Sequence, residues 1–192
     1  MKINVCGCAL IDNLFTRIDL SAPEVRCFLS KKDGDGGIAP GKLVFAEDLE
    51  KFAAMPYDRI MERISGGRAA DAVNLGGPAI VAAINAAQIL NGTGAEFHYY
   101  GAGGNDAAGK KLREIAGKTP LLMDHYVTSA GSTPVTDVLS DPGANGGKGE
   151  RSFVNRIGAA GFLTPEFLGE SFFDADILWY AATALTPGIH DA

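Results

Sequence analysis

The segment HYYGAGGNDAAGKKL, His98 to Leu112, constrains this chain most, because it joins a strand to a helix through a run of glycines. Residues 96–100, EFHYY, are rich in aromatic residues and predict a strand. The run AAGKKLREIA behind Asp106 places Leu112 and Ile115 on one face of a short amphipathic helix, with Asp106 as its N-cap and Gly117 as its stop. A glycine turn that opens a helix is a natural anion site, so the first question is whether this one holds a phosphate. Gly104 to Lys111 fits the spacing G-x-x-x-x-G-K, but Lys111 stands where that loop needs a hydroxyl for magnesium. The dinucleotide pattern G-x-G-x-x-G needs a third glycine at 106, where Asp106 would repel a pyrophosphate. Neither pattern settles the question.

The rest of the chain alternates in the same manner. Residues 2–10 read as an apolar first strand, with NLFTRIDL continuing extended, and SKKDGDGGIAPGK (30–42) is a loop. LVFAEDLEKF and YDRIMERI predict a short strand and helical pieces. Pro78 then opens an Ala-rich helix, apolar on nearly all faces and so expected to be buried. LLMDHYV is a strand, TPVTDVLS and ERSFVNRI form a hairpin around DPGANGGKG, and Thr164-Pro165 start a helix with Thr as cap. DILWYA is a further strand, with Trp179 and Tyr180 expected in the core. Strands alternating with helices imply parallel βαβ units, and the hairpin implies a separate sheet. With LTPGIHDA closing the chain where another helix should begin, the α/β sheet is expected to be incomplete.

Composition narrows the function. A net charge of -6 without a basic patch argues against nucleic-acid binding. The start MKINVCGCALID has neither a signal peptide nor a membrane span, so a cytoplasmic protein is expected. Cys6, Cys8 and Cys27 lack metal or redox spacing and are expected to be buried free thiols. His98, His125 and His190 share no spacing suited to a metal or a triad, so no metal site is expected.

The order of these features resembles the N-terminal portion of the PfkB carbohydrate and nucleoside kinases, the group of ribokinase, fructokinase and adenosine kinase. The resemblance rests on Gly7-x-x-x-x-Asp12, the diglycine Gly76-Gly77 before the Ala-rich helix, and Gly101-x-x-Gly104-x-Asp106-x-x-Gly109. It continues through Thr133–Thr136, GERSFVNRIGAA and DILWYAATALTPGIHD. The long segment between Leu29 and Gly76 is more like the adenosine kinase branch. The implied fold is a ribokinase-like, three-layer αβα, doubly wound sheet, here incomplete, with a small β lid. Residues 1–192 would be its substrate half, with lid strands within 13–29 and 133–157 and the C-terminal ATP-binding half absent. The implied activity is ATP-dependent phosphoryl transfer to a hydroxyl of a sugar or nucleoside, with Mg2+ serving the full-length relatives.

In such kinases the first glycine turn is structural, which would make Asp106 a cap and no more. Asp12 would accept hydrogen bonds from substrate hydroxyls. Gly76 and Gly77 would let backbone approach the sugar, and Val81 stands where the family usually has a substrate-binding Asn. Gly66-Gly67, with Asp71 in the equivalent place, is the less suitable diglycine by its distance to Gly101. Arg151, Asn155 and Arg156 lie on the lid hairpin, where they and Asp137 also read as solvent-facing polar residues of a strand. The family's Gly-Ala-Gly-Asp turn, which supplies the catalytic base, is only mimicked by Gly101-Ala102-Gly103, so no catalytic residue is expected in this chain and activity alone is doubtful. The competing expectation is a non-catalytic sugar-binding or assembly module, for which a lid-mediated homodimer is implied by the resemblance.

Overall fold

The computed structural model describes residues 1–181 and 185–190. In chain order the strands are β1 (Lys2–Gly7), β2 (Leu10–Phe15), β3 (Leu43–Phe45), β4 (Ala72–Gly76), β5 (Glu96–Gly103), β6 (Leu122–Thr128), β7 (Val135–Asp141), β8 (Glu150–Arg156) and β9 (Ile177–Ala181). The helices are α1 (Pro23–Arg26), α2 (Ala46–Ala53), α3 (Tyr57–Ser65), α4 (Pro78–Ile89), α5 (Ala107–Ala116), α6 (Ala144–Gly147), α7 (Pro165–Phe173) and α8 (Pro187–His190). They fall into two units. The first comprises Met1–Ile11, Leu75–Val135 and Ile157–Ala192; the second comprises Asp12–Asn74 and Thr136–Arg156. Among the described residues, no helix is long and apolar enough to cross a membrane.

The first unit is built on a sheet of order β6-β5-β1-β9. Its neighbours pair in parallel, Lys2 with Glu96, Ile3 with Ile177 and Gly101 with Tyr126. Ile3, Val5, Phe97 and Tyr99 meet Ala79, Ile80, Ala83, Ile84 and Ala87 of α4. That stripe recurs at helical spacing, and burial of its larger members, Ile80 and Ile84, contributes about 1.5–3 kcal/mol each. The helix is therefore one-sided rather than buried all round: Val81 is 38% and Ile89 79% exposed, and Asn85 and Gln88 share the solvent side.

The second unit carries a sheet of order β3-β8-β7-β2-β4, in which β3 runs parallel to β8. Its separate core contains Phe15, Ile18, Phe28, Ile38, Leu49, Ile60, Leu139 and Val154. The loop at 30–42 is organised by Asp35, whose carboxylate accepts from the backbone N–H groups of Lys31 (2.8 Å), Lys32 (3.0 Å) and Gly37 (3.0 Å). Gly66 ends α3 in the left-handed conformation, φ 63°, so the Gly66-Gly67 pair is a helix stop.

Several sequence expectations need correction. The opening extended run is two strands in different sheets, and β2 ends at Phe15, short of Leu20. β4, five residues with no alternation, was not anticipated. Cys6 and Cys8 are buried, but Cys27 is exposed at the end of α1. Thr164 precedes α7 without a side-chain cap; its hydroxyl instead hydrogen-bonds Glu166, holding that carboxyl below its ordinary pKa. Trp179 packs partly against the first core, whereas Tyr180 is 37% exposed on the edge strand β9.

Candidate functional site

The glycine turn at 101–109 is filled by the protein itself. Asp106 accepts from the Gly109 N–H at 2.8 Å, capping α5, and its carboxylate also takes the Thr133 N–H (2.8 Å) and hydroxyl (2.6 Å). Gly104 N–H donates to Thr133 Oγ1 at 2.9 Å. A Cβ on Gly104 would stand 2.5 Å from Gly131 O, and one on Gly109 would stand 2.3 Å from Gly104 O. These glycines therefore serve close approach of chain to chain, and their donors are already spent. Burial would raise the Asp106 pKa, but the bonds from Thr133 and Gly109 outweigh it and hold the carboxyl below its ordinary value.

On the same unit, Gly77 precedes α4 at φ 100°, where a Cβ would lie 2.5 Å from Cys8 O. A side chain is thus excluded there by the Cys8 backbone, independently of any ligand. Gly76 is buried and Val81 is partly exposed one turn into α4. Gly7 meets its neighbours as closely, since a Cβ there would reach within 2.2 Å of Ala181 O.

On the second unit, Asp12 lies half-buried on β2. Desolvation raises its carboxyl pKa, and a hydrogen bond with Thr136 works against that rise. One residue on, Asn13 Nδ2 donates to Asp137 Oδ1 at 2.8 Å, and Tyr57 donates its hydroxyl to Asp137 Oδ2 at 2.5 Å. Arg156 lies 3.8 Å from the same oxygen and 5.4 Å over the Tyr57 ring. The expectation that Asp137 and Asn155 face solvent is corrected: they are 4% and 3% exposed. Asn155 Oδ1 and Arg156 Nε are buried with no hydrogen-bond partner among the described residues. Arg151 is exposed and lies over Phe153 at 5.7 Å. Asp71 accepts from Thr16 and Arg17, which makes it a brace within this unit.

Histidines without a useful spacing in sequence do come together. His98 and His125 sit on neighbouring strands β5 and β6, and with Asp124 they offer ligand atoms within 4.8 Å of one another.

No family model matches the chain, and no curated protein matches it. Solved structures do. The apo adenosine kinase of Trypanosoma brucei brucei is 20% identical with a TM-score of 0.60, covering 94% of this chain and 49% of its own. The Anopheles gambiae adenosine kinase in complex with P1,P4-di(adenosine-5) tetraphosphate is 19% identical with a TM-score of 0.65, covering 94% and 46%. The ribokinase of Thermotoga maritima is 18% identical with a TM-score of 0.57, covering 93% and 44%. The chain thus spans slightly less than half the length of the kinases it matches, and its sheets are incomplete beside theirs. What these matches establish is the architecture: the chain has the ribokinase-like α/β fold of adenosine kinases and ribokinase.

Proposed function

We propose that these residues form the acceptor side of an ATP-dependent kinase that transfers a phosphoryl group to a hydroxyl of a sugar or nucleoside. The observation that carries this reading is the fold match over 93–94% of the chain to adenosine kinases and ribokinase. Two of those matches are named adenosine kinases, so a nucleoside is the first acceptor to test.

In this reading Asp12 accepts hydrogen bonds from acceptor hydroxyls. Its partial burial raises its pKa despite the Thr136 hydrogen bond, so further donors from acceptor hydroxyls would stabilise the carboxylate, which supports the role. Gly76, Gly77 and Val81 are substrate-side positions of the first unit, Val81 contributing no polar contact. Arg151, Asn155 and Arg156 are lid positions of the second, and Asn155 Oδ1 and Arg156 Nε, which find no hydrogen-bond partner among the described residues, support a polar role for that hairpin. The lid, a homodimer made through it and a cytoplasmic setting all belong to the proposal. ATP and Mg2+ are the co-substrate and cation of the reaction. The turn at 101–109 does not fit a phosphate, so no step is placed there, and no general base is assigned within residues 1–192.

Calorimetric titration of the purified chain with adenosine, ribose and fructose tests the reading. One of them should bind saturably, and Asp12→Asn should weaken it roughly tenfold or more, the effect of losing a charged hydrogen bond, with an unchanged circular dichroism spectrum. Failure to bind any of the three overturns the acceptor assignment. Phosphorylation of an acceptor by the chain alone overturns the absence of a base.

A further inference from the structure

We propose that His98, Asp124 and His125 form a binding site for a borderline divalent transition-metal ion, with Zn2+ as the reference case. The site is made by a register shift. His98 lies opposite Leu122 and Tyr100 opposite His125, so three steps along β6 answer two along β5. Residues adjacent on a regular strand point to opposite faces, whereas a bulge re-aims one of them. Here Asp124 and His125 serve a common cluster: Asp124 Oδ2 lies 3.0 Å from His98 Nδ1 and 3.7 Å from His125 Nε2.

Zinc bonds of about 2.0–2.1 Å in a tetrahedron put ligand atoms about 3.3 Å apart, so small rotations of these side chains suffice. Much of the ordering is already present. The His125 ring stacks on Tyr100 at 4.1 Å and 8°, which fixes its plane. The His98 side chain is only 14% exposed, against 50% for Asp124 and 35% for His125, so solvent reaches the cluster through the latter two. With Nδ1 as ligand, His98 turns Nε2 toward Glu96 Oε2, 3.9 Å away, the kind of outer carboxylate that orients metal-bound imidazoles. Two imidazoles and one carboxylate suit zinc, cobalt, nickel or copper, whereas magnesium and calcium prefer oxygen alone. The ion would tie β6, at the end of the sheet, to β5.

The test uses the untagged chain freed of metal with a chelator. Titration with Co2+ should give one equivalent bound, with visible ligand-field absorption and no thiolate charge-transfer band, and Zn2+ should displace it while Mg2+ does not. His125→Gln should weaken binding tenfold or more. In the unaltered chain, Zn2+ should protect His98 and His125 from diethyl pyrocarbonate, a readout that needs no variant. No binding, a thiolate band pointing to Cys27, unchanged affinity in His125→Gln, or modification of both histidines despite Zn2+ would each overturn the site.

Discussion

Thr133 and Asp106 are joined twice: the threonine N–H donates to one carboxylate oxygen at 2.8 Å and its hydroxyl to the other at 2.6 Å. Because Asp106 also caps α5 through Gly109, one carboxylate ties the end of β5, the start of α5 and the approach to β7. Asp106→Ala removes the cap and strands the N–H of Thr133, a residue only 1% exposed, whereas its hydroxyl keeps Gly104 O within 3.5 Å. The expected loss is about 3 kcal/mol, a cap plus one buried unsatisfied group. Asp106→Asn, which keeps one acceptor oxygen, should lose less. Urea midpoints measure both, and a loss below about 0.5 kcal/mol for Ala would mean that the turn holds without this carboxylate.

Tyr57 and Asp137 form the corresponding tie in the second unit. Burial, followed by the nearby Asp137 carboxylate, pushes the Tyr57 hydroxyl pKa well up, so it remains a donor across the whole folding range. Tyr57→Phe leaves Asp137 Oδ2 facing Arg156 alone at 3.8 Å and should cost about 1–3 kcal/mol. In an Asp137→Asn background the same substitution should cost at least about 1 kcal/mol less, because the pair shares one interaction. Additive losses in denaturation midpoints would show that the hydrogen bond carries no stability of its own.

Gly77 and Gly66 separate steric demand from backbone conformation. Both have positive φ, 100° and 63°, but a Cβ on Gly77 meets Cys8 O at 2.5 Å while one on Gly66 meets nothing within 4 Å. Gly66→Ala should therefore cost about 1 kcal/mol, the left-handed penalty alone. Gly77→Ala should cost about 3 kcal/mol, because backbone must also move. Equal losses in thermal unfolding would remove the steric argument.

What could be read from the chain without its structure divides along the same line between near and far. Asp106 announced itself as a cap because a cap is settled within three residues, and α4 showed in Pro78 and the Ala-rich run behind it, although the alanines hid which face was wet. The burial of Asp137 could not be read in this way, since its partners Tyr57 and Asn13 lie 80 and 124 residues away. A polar residue on a strand looks solvent-facing until its partner is known. His98 and His125 were separated for the same reason, and only the pairing of Tyr100 with His125 reveals them as neighbours. Tyr180 looked like core because an apolar strand carries no mark of lying at a sheet edge.

Asp71 makes the clearest pH prediction. The backbone N–H of Thr16 donates to it at 2.8 Å, Arg17 Nη2 at 2.6 Å and the Thr16 hydroxyl at 2.9 Å. Together, with the Thr16 N–H foremost, these lower its pKa from 3.8 to about 2. A carboxyl depressed on folding stabilises the native state above its unfolded pKa and loses that contribution as pH falls through the folded value. Asp71→Asn should therefore lower the urea midpoint at pH 5 to 7, and the gap to the unaltered chain should shrink from about pH 4 and close near pH 2. Since a backbone donor is the foremost cause, Arg17→Met should open a smaller gap than Asp71→Asn, and salt should narrow the gap only in part. A gap that is constant from pH 7 to pH 2, or one that Arg17→Met reproduces in full, would show that the bonds from Thr16 do not hold this carboxylate ionised.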